Sequence, residues 1–307
     1  MSIQIDNEEQ AIFYNKASAK KLAWGPIWFD CTTFGPKLIR AIAEFQLQYG
    51  LKPDGLCGPS TYRVKKTERD SLDDDITQSM DRGPSSEHLI YNGEQIPIDW
   101  PNVVLWTDLG GLAAKPTAYR SRDAKRDISM FVNHWDVCLS SRSCIKVLNK
   151  RGISVQFLID NDGTIYQTMD MNHVAWHAGG RSWNNSSVGV EISNAYYPKH
   201  QSWYMRNGHG QRPIWHADCH GKNMGPFLGF YDVQQEALKA LWKAIVAATD
   251  VRWNTPTDAT GKAWPTVHPE AEIGPYAGII SHFHLKKSKI DCAGLDIPRL
   301  MKEAQEE

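Results

Sequence analysis

An excess of charge of either sign is missing from this chain: 34 Lys and Arg stand against 35 Asp and Glu, a formal charge of −1 over 307 residues. No global field draws it onto nucleic acid or an anionic membrane, so any polymer it binds must be recognised locally. Long apolar runs are missing too, and no window approaches the roughly 18 residues of a membrane span. Cysteine is sparse, with six residues, too few for a disulfide scaffold, although Cys138 and Cys144 lie close enough in sequence to pair or to remain free thiols. The start, MSIQIDNEEQAIFYNK, has neither the basic region nor the apolar run of a signal peptide. No internal repeat is visible. What is present is a foldable mixture, 41% hydrophobic and 22% charged, long enough for two domains at about 100–200 residues each. It carries 12 Trp and 11 His, with His173, His177, His200, His209, His216 and His220 in one stretch.

Leu38, Ile42, Phe45 and Tyr49 recur at the helical period, and Gly50 supplies a stop. The following GLKPDGLCGPST holds two turns, and Ser60 or Thr61 is placed to cap a second helix. Residues 1–68 thus read as a small all-α domain. The polar, acidic stretch that ends in Gly-Pro-Ser-Ser reads as a linker over 69–90. Beyond it, in 91–307, strands alternate with helices, the pattern of an α/β domain with a mixed central sheet flanked by helices. Ile128–Val137 is apolar and rich in β formers, and Val155–Asp160 alternates into the Asn161-Asp162-Gly163 turn. In SVGVEIS, Val188, Val190 and Ile192 share one face, leaving Gly189 and Glu191 on the other. Leu238, Leu241, Trp242 and Ile245 mark a helix, with Asp232 and Gln235 spaced like a capping box. AGIISHFH reads as a strand ending in two histidines.

The strand ends are where chemistry concentrates. His134 closes one apolar strand, His282 another, and Asp291 follows nine residues later. Two imidazoles and a carboxylate are a catalytic zinc set, because three protein ligands leave the fourth tetrahedral position open to water. Such a site needs a base, and Glu191 is placed for it, since its strand face carries Gly189 rather than bulk. Lys289 can put positive charge beside a developing oxyanion. A second set, His216, Cys219 and His220, lacks a clear fourth ligand, and Trp176, Trp183, Trp203 and Trp215 are either sugar platforms or core residues.

On FVNHWD (131–136), QFLIDNDGTIYQ (156–167), AWHAGG (175–180), WNNSSVGVEI (183–192) and SHFH with KID (281–291), the chain resembles the zinc-dependent N-acetylmuramoyl-L-alanine amidases of the type 2 class, relatives of the peptidoglycan recognition proteins. Carried over position by position, the resemblance implies that His134, His282 and Asp291 hold Zn2+ and that Glu191 is the catalytic acid/base. It also implies that Lys289 stabilises the transition state and that His177 lines the cleft and contacts substrate. The chain departs from the family in having Val155 where many members have Tyr. It also has Cys292-Ala293-Gly294 after the ligand Asp, where Pro-Gly is usual. Cys292 is therefore a rival to Asp291, and His284 a rival to His282. Cys138 and Cys144 resemble a disulfide of the recognition proteins. AIAEFQLQYGL followed by PDGLCGPST resembles the helical peptidoglycan-binding module; residues 1–33 match nothing recognisable.

These resemblances imply a monomeric hydrolase of peptidoglycan that cleaves the amide between N-acetylmuramic acid and L-alanine, with no nucleic-acid or membrane partner. A wall-binding module on a chain without an export signal implies a bacteriophage endolysin, made in the host cytoplasm and acting on the wall in the periplasm after release. The alternatives are a non-catalytic recognition protein and a cytoplasmic muropeptide-recycling amidase.

Overall fold

The structure, a computed structural model, describes residues 7–71 and 85–306. The chain divides into two compact units, Met1–Leu72 and Asp73–Glu307. Most of the stretch expected to be a linker lies outside the described residues.

The first unit contains α1 (Glu8–Leu22), α2 (Pro36–Gln48) and α3 (Pro59–Ser71). In α1, the Asn7 side chain accepts from the Gln10 N–H, and Glu8 and Glu9 at one end and Lys20 and Lys21 at the other suit the helix dipole. The buried face of α1 is Ala11, Asn15, Ser18 and Ala19, with no large apolar residue, so the helix left no hydrophobic period to read. α2 does bury the expected stripe, including Leu38, Ile42 and Phe45. α3 begins at Pro59, directly after Gly58, so neither Ser60 nor Thr61 caps it. Thr61 is instead buried in the first turn, where its hydroxyl accepts from Gln46 Nε2 at 3.0 Å.

The loop before α3 is held by two buried amides. Cys57 N–H donates to Asn15 Oδ1 at 2.8 Å, and Gly55 N–H donates to Gln46 Oε1 at 2.8 Å. Gly55 has a φ of 70°, and a Cβ there would meet Ile39 at 2.4 Å, so this turn excludes a side chain.

The second unit is built on a six-stranded sheet in the order β12-β5-β9-β6-β7-β3. Its strands are β3 (Val103–Leu105), β5 (Met130–Trp135), β6 (Phe157–Ile159), β7 (Ile165–Gln167), β9 (Ser187–Ile192) and β12 (Gly278–Ser281). All neighbours run parallel except β6 and β7, which form the hairpin expected around Asn161-Asp162-Gly163. Two-stranded pairs surround it: β1 (His88–Tyr91) with β2 (Glu94–Pro97), β4 (Tyr119–Arg120) with β8 (Val174–Ala175), and β10 (Ile214–Cys219) with β11 (Lys222–Leu228). β1 begins inside the stretch read as linker.

Helices cover both faces. On one face Phe131, Val188, Val190 and Ile192 pack against Leu238, Leu241, Trp242 and Ile245 of α7 (Asp232–Ala248) and Leu300 of α9 (Ile297–Glu306). On the other, Leu158 and Tyr166 meet Ile145 and Leu148 of α4 (Ser141–Arg151). Short helices α5 (Arg181–Ser186), α6 (Gln201–Arg206) and α8 (Pro269–Ile273) lie in connections. The reciprocal cap of α7 is set one residue earlier than expected: Gln234 Oε1 accepts from the Tyr231 N–H at 3.1 Å, and Asp232 is already helical.

The long insertion after β9 is anchored by Arg212, which is 1% exposed. Its guanidinium lies 4.3 Å from the ring centroids of both Tyr204 and Tyr231 and donates to the Gly229 and Ser193 carbonyls. A buried cation sandwiched by aromatics and bonded to backbone acceptors holds that segment to the sheet.

Candidate active site

Register places the functional side chains. β5 and β9 run parallel with Met130 opposite Ser187, Val132 opposite Gly189 and His134 opposite Glu191. Since strand residues alternate faces, Ser187, Gly189 and Glu191 share the face of His134, while Val188, Val190 and Ile192 go to the α7 core. His134 and Glu191 thus emerge at the C-terminal ends of neighbouring parallel strands, the usual location of sites in open α/β sheets.

β12 ends at Ser281, and His282–His284 forms a helical turn rather than the end of a strand. The two histidines therefore do not share a face. His284 is buried, with Nδ1 accepting from the Ser281 N–H at 3.1 Å and Nε2 donating to the Trp264 carbonyl at 2.8 Å. His282 turns toward the strand ends, where its Nδ1 lies 3.0 Å from Asp291 Oδ2. His134 Nδ1 is 3.0 Å from the same oxygen. The ligand-type atoms of His134, His282 and Asp291 all lie within 4.8 Å of one another, a group able to hold a metal ion. Cys292, the rival donor, is buried and belongs to no such group among the described residues.

Electrostatics follow from this packing. Burial, then repulsion from His282, lowers His134 to about 4. Burial pushes the Asp291 carboxyl up, but the two histidines outweigh it and hold it well below the usual carboxylate range. His134 is therefore neutral and the Asp291 carboxylate charged near pH 7, the protonation states a metal ligand needs. Glu191 is driven the other way, well above its ordinary value, by burial and by the charges of Asp291 and Asp136, with Lys289 pulling it down. Its buried Oε2 has no hydrogen-bond partner among the described residues. Lys289 is half-buried, and its backbone carbonyl accepts from His220 Nε2 at 2.7 Å, which ties the lysine loop to the β10–β11 hairpin.

His177 also belongs to this cluster. Its Nδ1 is 3.0 Å from His134 Nε2, and its Nε2 is 3.2 Å from Ser187 Oγ. Gly189 makes the room, for a Cβ there would lie 2.6 Å from His177 Nδ1. Ser187 was not evident from sequence as a site residue, although its place two residues before Gly189 on the Glu191 face is the signal that points to it.

The other sequence candidates divide among the alternatives left open for them. His216, Cys219 and His220 form no metal-competent group among the described residues: Cys219 is in the core, and His220 is bonded to Lys289 and to Thr266 at 2.9 Å. Cys138 and Cys144 are buried free thiols that do group with Asp136. That carboxylate is already engaged, accepting from the Cys138 and Asn194 N–H groups at 2.8 and 2.9 Å, so it clasps the ends of β5 and β9. Of the tryptophans, Trp203 stacks on His209, Trp215 packs on Phe227 and Phe230, and Trp183 donates to the Ala271 carbonyl at 2.9 Å. Trp176 alone of the four is exposed, at 40%, and with Tyr119, Arg120, Arg181 and Asn184 it lines a cleft of about 680 Å³.

Fold and site together define an α/β enzyme domain with a metal-competent cluster at the strand ends and a helical unit before it. Residues 124–291, more than half of the chain, match the family model for N-acetylmuramoyl-L-alanine amidase, and the chain belongs to that family. Residues 25–64 match a peptidoglycan binding domain.

No curated protein sequence matches the chain. Among solved structures it is similar to the endolysin N-acetylmuramoyl-L-alanine amidase LysCS from Clostridium intestinale URNW, at 15% identity and a TM-score of 0.39 over 68% of this chain and 97% of that one. It is also similar to the Ph2119 endolysin from the Thermus scotoductus bacteriophage, at 15% identity and 0.38 over 66% and 99%. The N-acetylmuramyl-L-alanine amidase AmiD from E. coli, solved with the substrate anhydro-N-acetylmuramic acid-L-Ala-D-gamma-Glu-L-Lys, is similar at 19% identity and 0.30 over 54% of each chain.

Proposed function

We propose that this chain is a zinc amidase that cleaves the bond between N-acetylmuramic acid and L-alanine in intact peptidoglycan, in the manner of a phage endolysin. The observation that carries this reading is the convergence of His134 Nδ1 and His282 Nδ1 on Asp291 Oδ2, each at 3.0 Å, inside the segment that matches the amidase family. Donors bound to one tetrahedral zinc at about 2.0–2.1 Å sit about 3.3 Å from each other, so the three groups fit the ion with little movement. Nitrogen and oxygen donors suit zinc, and the neutral His134 need lose no proton to bind it.

Zinc held by His134, His282 and Asp291 supplies Lewis acidity toward a water and the scissile carbonyl. The remaining steps belong to side chains. Glu191 takes a proton from the attacking water as the carbon–oxygen bond forms, and returns it to the alanine nitrogen as the carbon–nitrogen bond breaks. The products are a lactyl carboxylate and a free amine. Burial raises the Glu191 pKa, which strengthens it as a base and lets it hold the proton between the two transfers. Lys289 offers its ammonium to the oxyanion of the tetrahedral intermediate. The helical unit keeps the enzyme at high local concentration on an insoluble substrate.

The test is digestion of purified sacculi with product analysis. New alanine amino termini should appear, stop with a chelator and resume on adding zinc. Release of reducing sugar ends without new amines would overturn the reading, as would full activity after metal removal. A recycling enzyme would instead favour soluble muropeptides over sacculi.

A further inference from the structure

His134 has two ring nitrogens, and only a bare Nδ1 can face a cation. What sets that choice can be read by following protons inward from the far end of a hydrogen-bond chain. The Trp183 carbonyl can only accept, so the Ser187 hydroxyl, 2.6 Å away, must spend its single proton there. Ser187 Oγ is then an acceptor toward His177, and the proton between them, at 3.2 Å, sits on His177 Nε2. Among the described residues no carboxylate is hydrogen-bonded to His177, and its partners are a hydroxyl and another imidazole, so the ring is neutral and its Nδ1 is bare. The 3.0 Å bond to His134 therefore carries the His134 Nε2 proton, and His134 Nδ1 is left as a lone pair aimed at Asp291 Oδ2, itself an acceptor 3.0 Å away.

We infer that Ser187 and His177 are positioning residues that fix the tautomer of His134 so that its Nδ1 lone pair faces the His282 and Asp291 donors. The chain begins at a backbone carbonyl whose polarity cannot reverse, so the relay has one direction. It also puts two acceptors in contact across 3.0 Å with no proton to share from the His134 side, an arrangement relieved by a cation between them. His282 has no such support: its buried Nε2 finds no partner among the described residues. Outer partners that orient a ligating histidine are usually a carboxylate, carbonyl or water; here a second histidine transmits the polarity of a carbonyl. Gly189 is part of the device, since its missing side chain is the seat of the His177 ring.

This inference rests on the metal-site reading, and its test separates the two. The tautomer of His134 is read in the metal-free, 15N-labelled protein by long-range proton–nitrogen NMR, and zinc affinity is measured by competition with a chromophoric chelator. The wild type should carry its His134 proton on Nε2. In Ser187→Ala, His177 loses its acceptor, can turn its proton toward His134 and drives the His134 proton onto Nδ1; zinc affinity should fall about 10–100-fold. His177→Gln, whose amide oxygen can accept the same proton, should hold zinc more tightly than His177→Ala. A wild-type Nδ1–H tautomer overturns the inference even if Ser187→Ala does not fold. So does unchanged zinc affinity in His177→Ala with only KM raised, the result expected of a pure substrate contact. A wild type with the Nε2–H tautomer that binds no zinc would sink the metal reading while leaving the relay intact.

Discussion

Glu191→Gln separates catalysis from folding more cleanly than any other single change here. The substitution keeps the shape of the side chain and removes its ability to take a proton. General-base transfer contributes about 10²–10⁴ in rate, or about 2.7–5.4 kcal/mol at about 1.36 kcal/mol per tenfold, so amide cleavage should drop by that factor. Stability should not follow. The wild-type carboxylate is desolvated, sits near Asp291 and Asp136, and leaves Oε2 without a partner among the described residues. Replacing a strained anion by a neutral amide removes the charge penalty while adding an unpaired N–H at the same place, so Tm should stay level or rise. Zinc content should stay near that of the wild type, because Glu191 is not among the converging donors. The acid limb of the wild-type profile should lie above the ordinary carboxylate range, since the base form is lost as pH falls through the raised pKa, and this limb should vanish from the residual activity of the variant. The assay is amine release from sacculi, with metal analysis and thermal melts on the same preparation. Retention of more than a tenth of the wild-type rate would refute the assignment of Glu191 as base.

Gly189→Ala should push the His177 ring aside, because the new Cβ would lie 2.6 Å from its Nδ1; overpacking costs about 1–3 kcal/mol, and chelator competition should show weaker zinc binding alongside a lower Tm. Trp242→Ala should cost about 3–5 kcal/mol by denaturant unfolding, since the ring is fully buried against Phe131 on the face away from the site, while the rate of the folded fraction should stay near wild type. Burial holds His284 at about 4, below its ordinary 6.5, so the folded state stays unprotonated where the unfolded chain takes up a proton. Stability should therefore fall as pH drops through that window, by on the order of 3 kcal/mol at about 1.36 kcal/mol per pKa unit, and melts from pH 7 to 4 should show a shallower loss in His284→Asn.

What could be read in the sequence was whatever repeats with the period of its element. The stripe of α2, the Asn161-Asp162-Gly163 hairpin, the alternation of β9 and the apolar face of α7 all stand where the pattern puts them. Elements that bury small or polar groups could not be read this way. α1 hides Asn15 and Ser18, whose value lies in hydrogen bonds to a loop about forty residues away. The residues of the candidate site were legible as donors, but the choice between neighbours was not. His282 and His284 look equivalent two apart on an imagined strand; a turn after Ser281 sends one to Asp291 and the other to the Trp264 carbonyl. His220, grouped by spacing with His216 and Cys219, turned out to hold the loop of Lys289, because strand pairing in the β10–β11 hairpin decided its direction.

The face of β9 that reads Ser-x-Gly-x-Glu shows why fold and candidate site cannot be varied separately. Each of its three residues answers a different physical demand: a hydroxyl to accept a hydrogen bond from His177, an absent side chain to seat that ring, and a carboxylate beside His134. The intervening Val188, Val190 and Ile192 fill the core under α7. Because strand side chains alternate with a period of two, a slip of one residue would turn the valines into the site and bury Ser187 and Glu191 against Trp242. The apolar face therefore sets the register, and the register aims the chemistry. The hydrophobic burial that makes this strand fold is thus also what holds the proton-carrying groups in line with the metal-competent cluster.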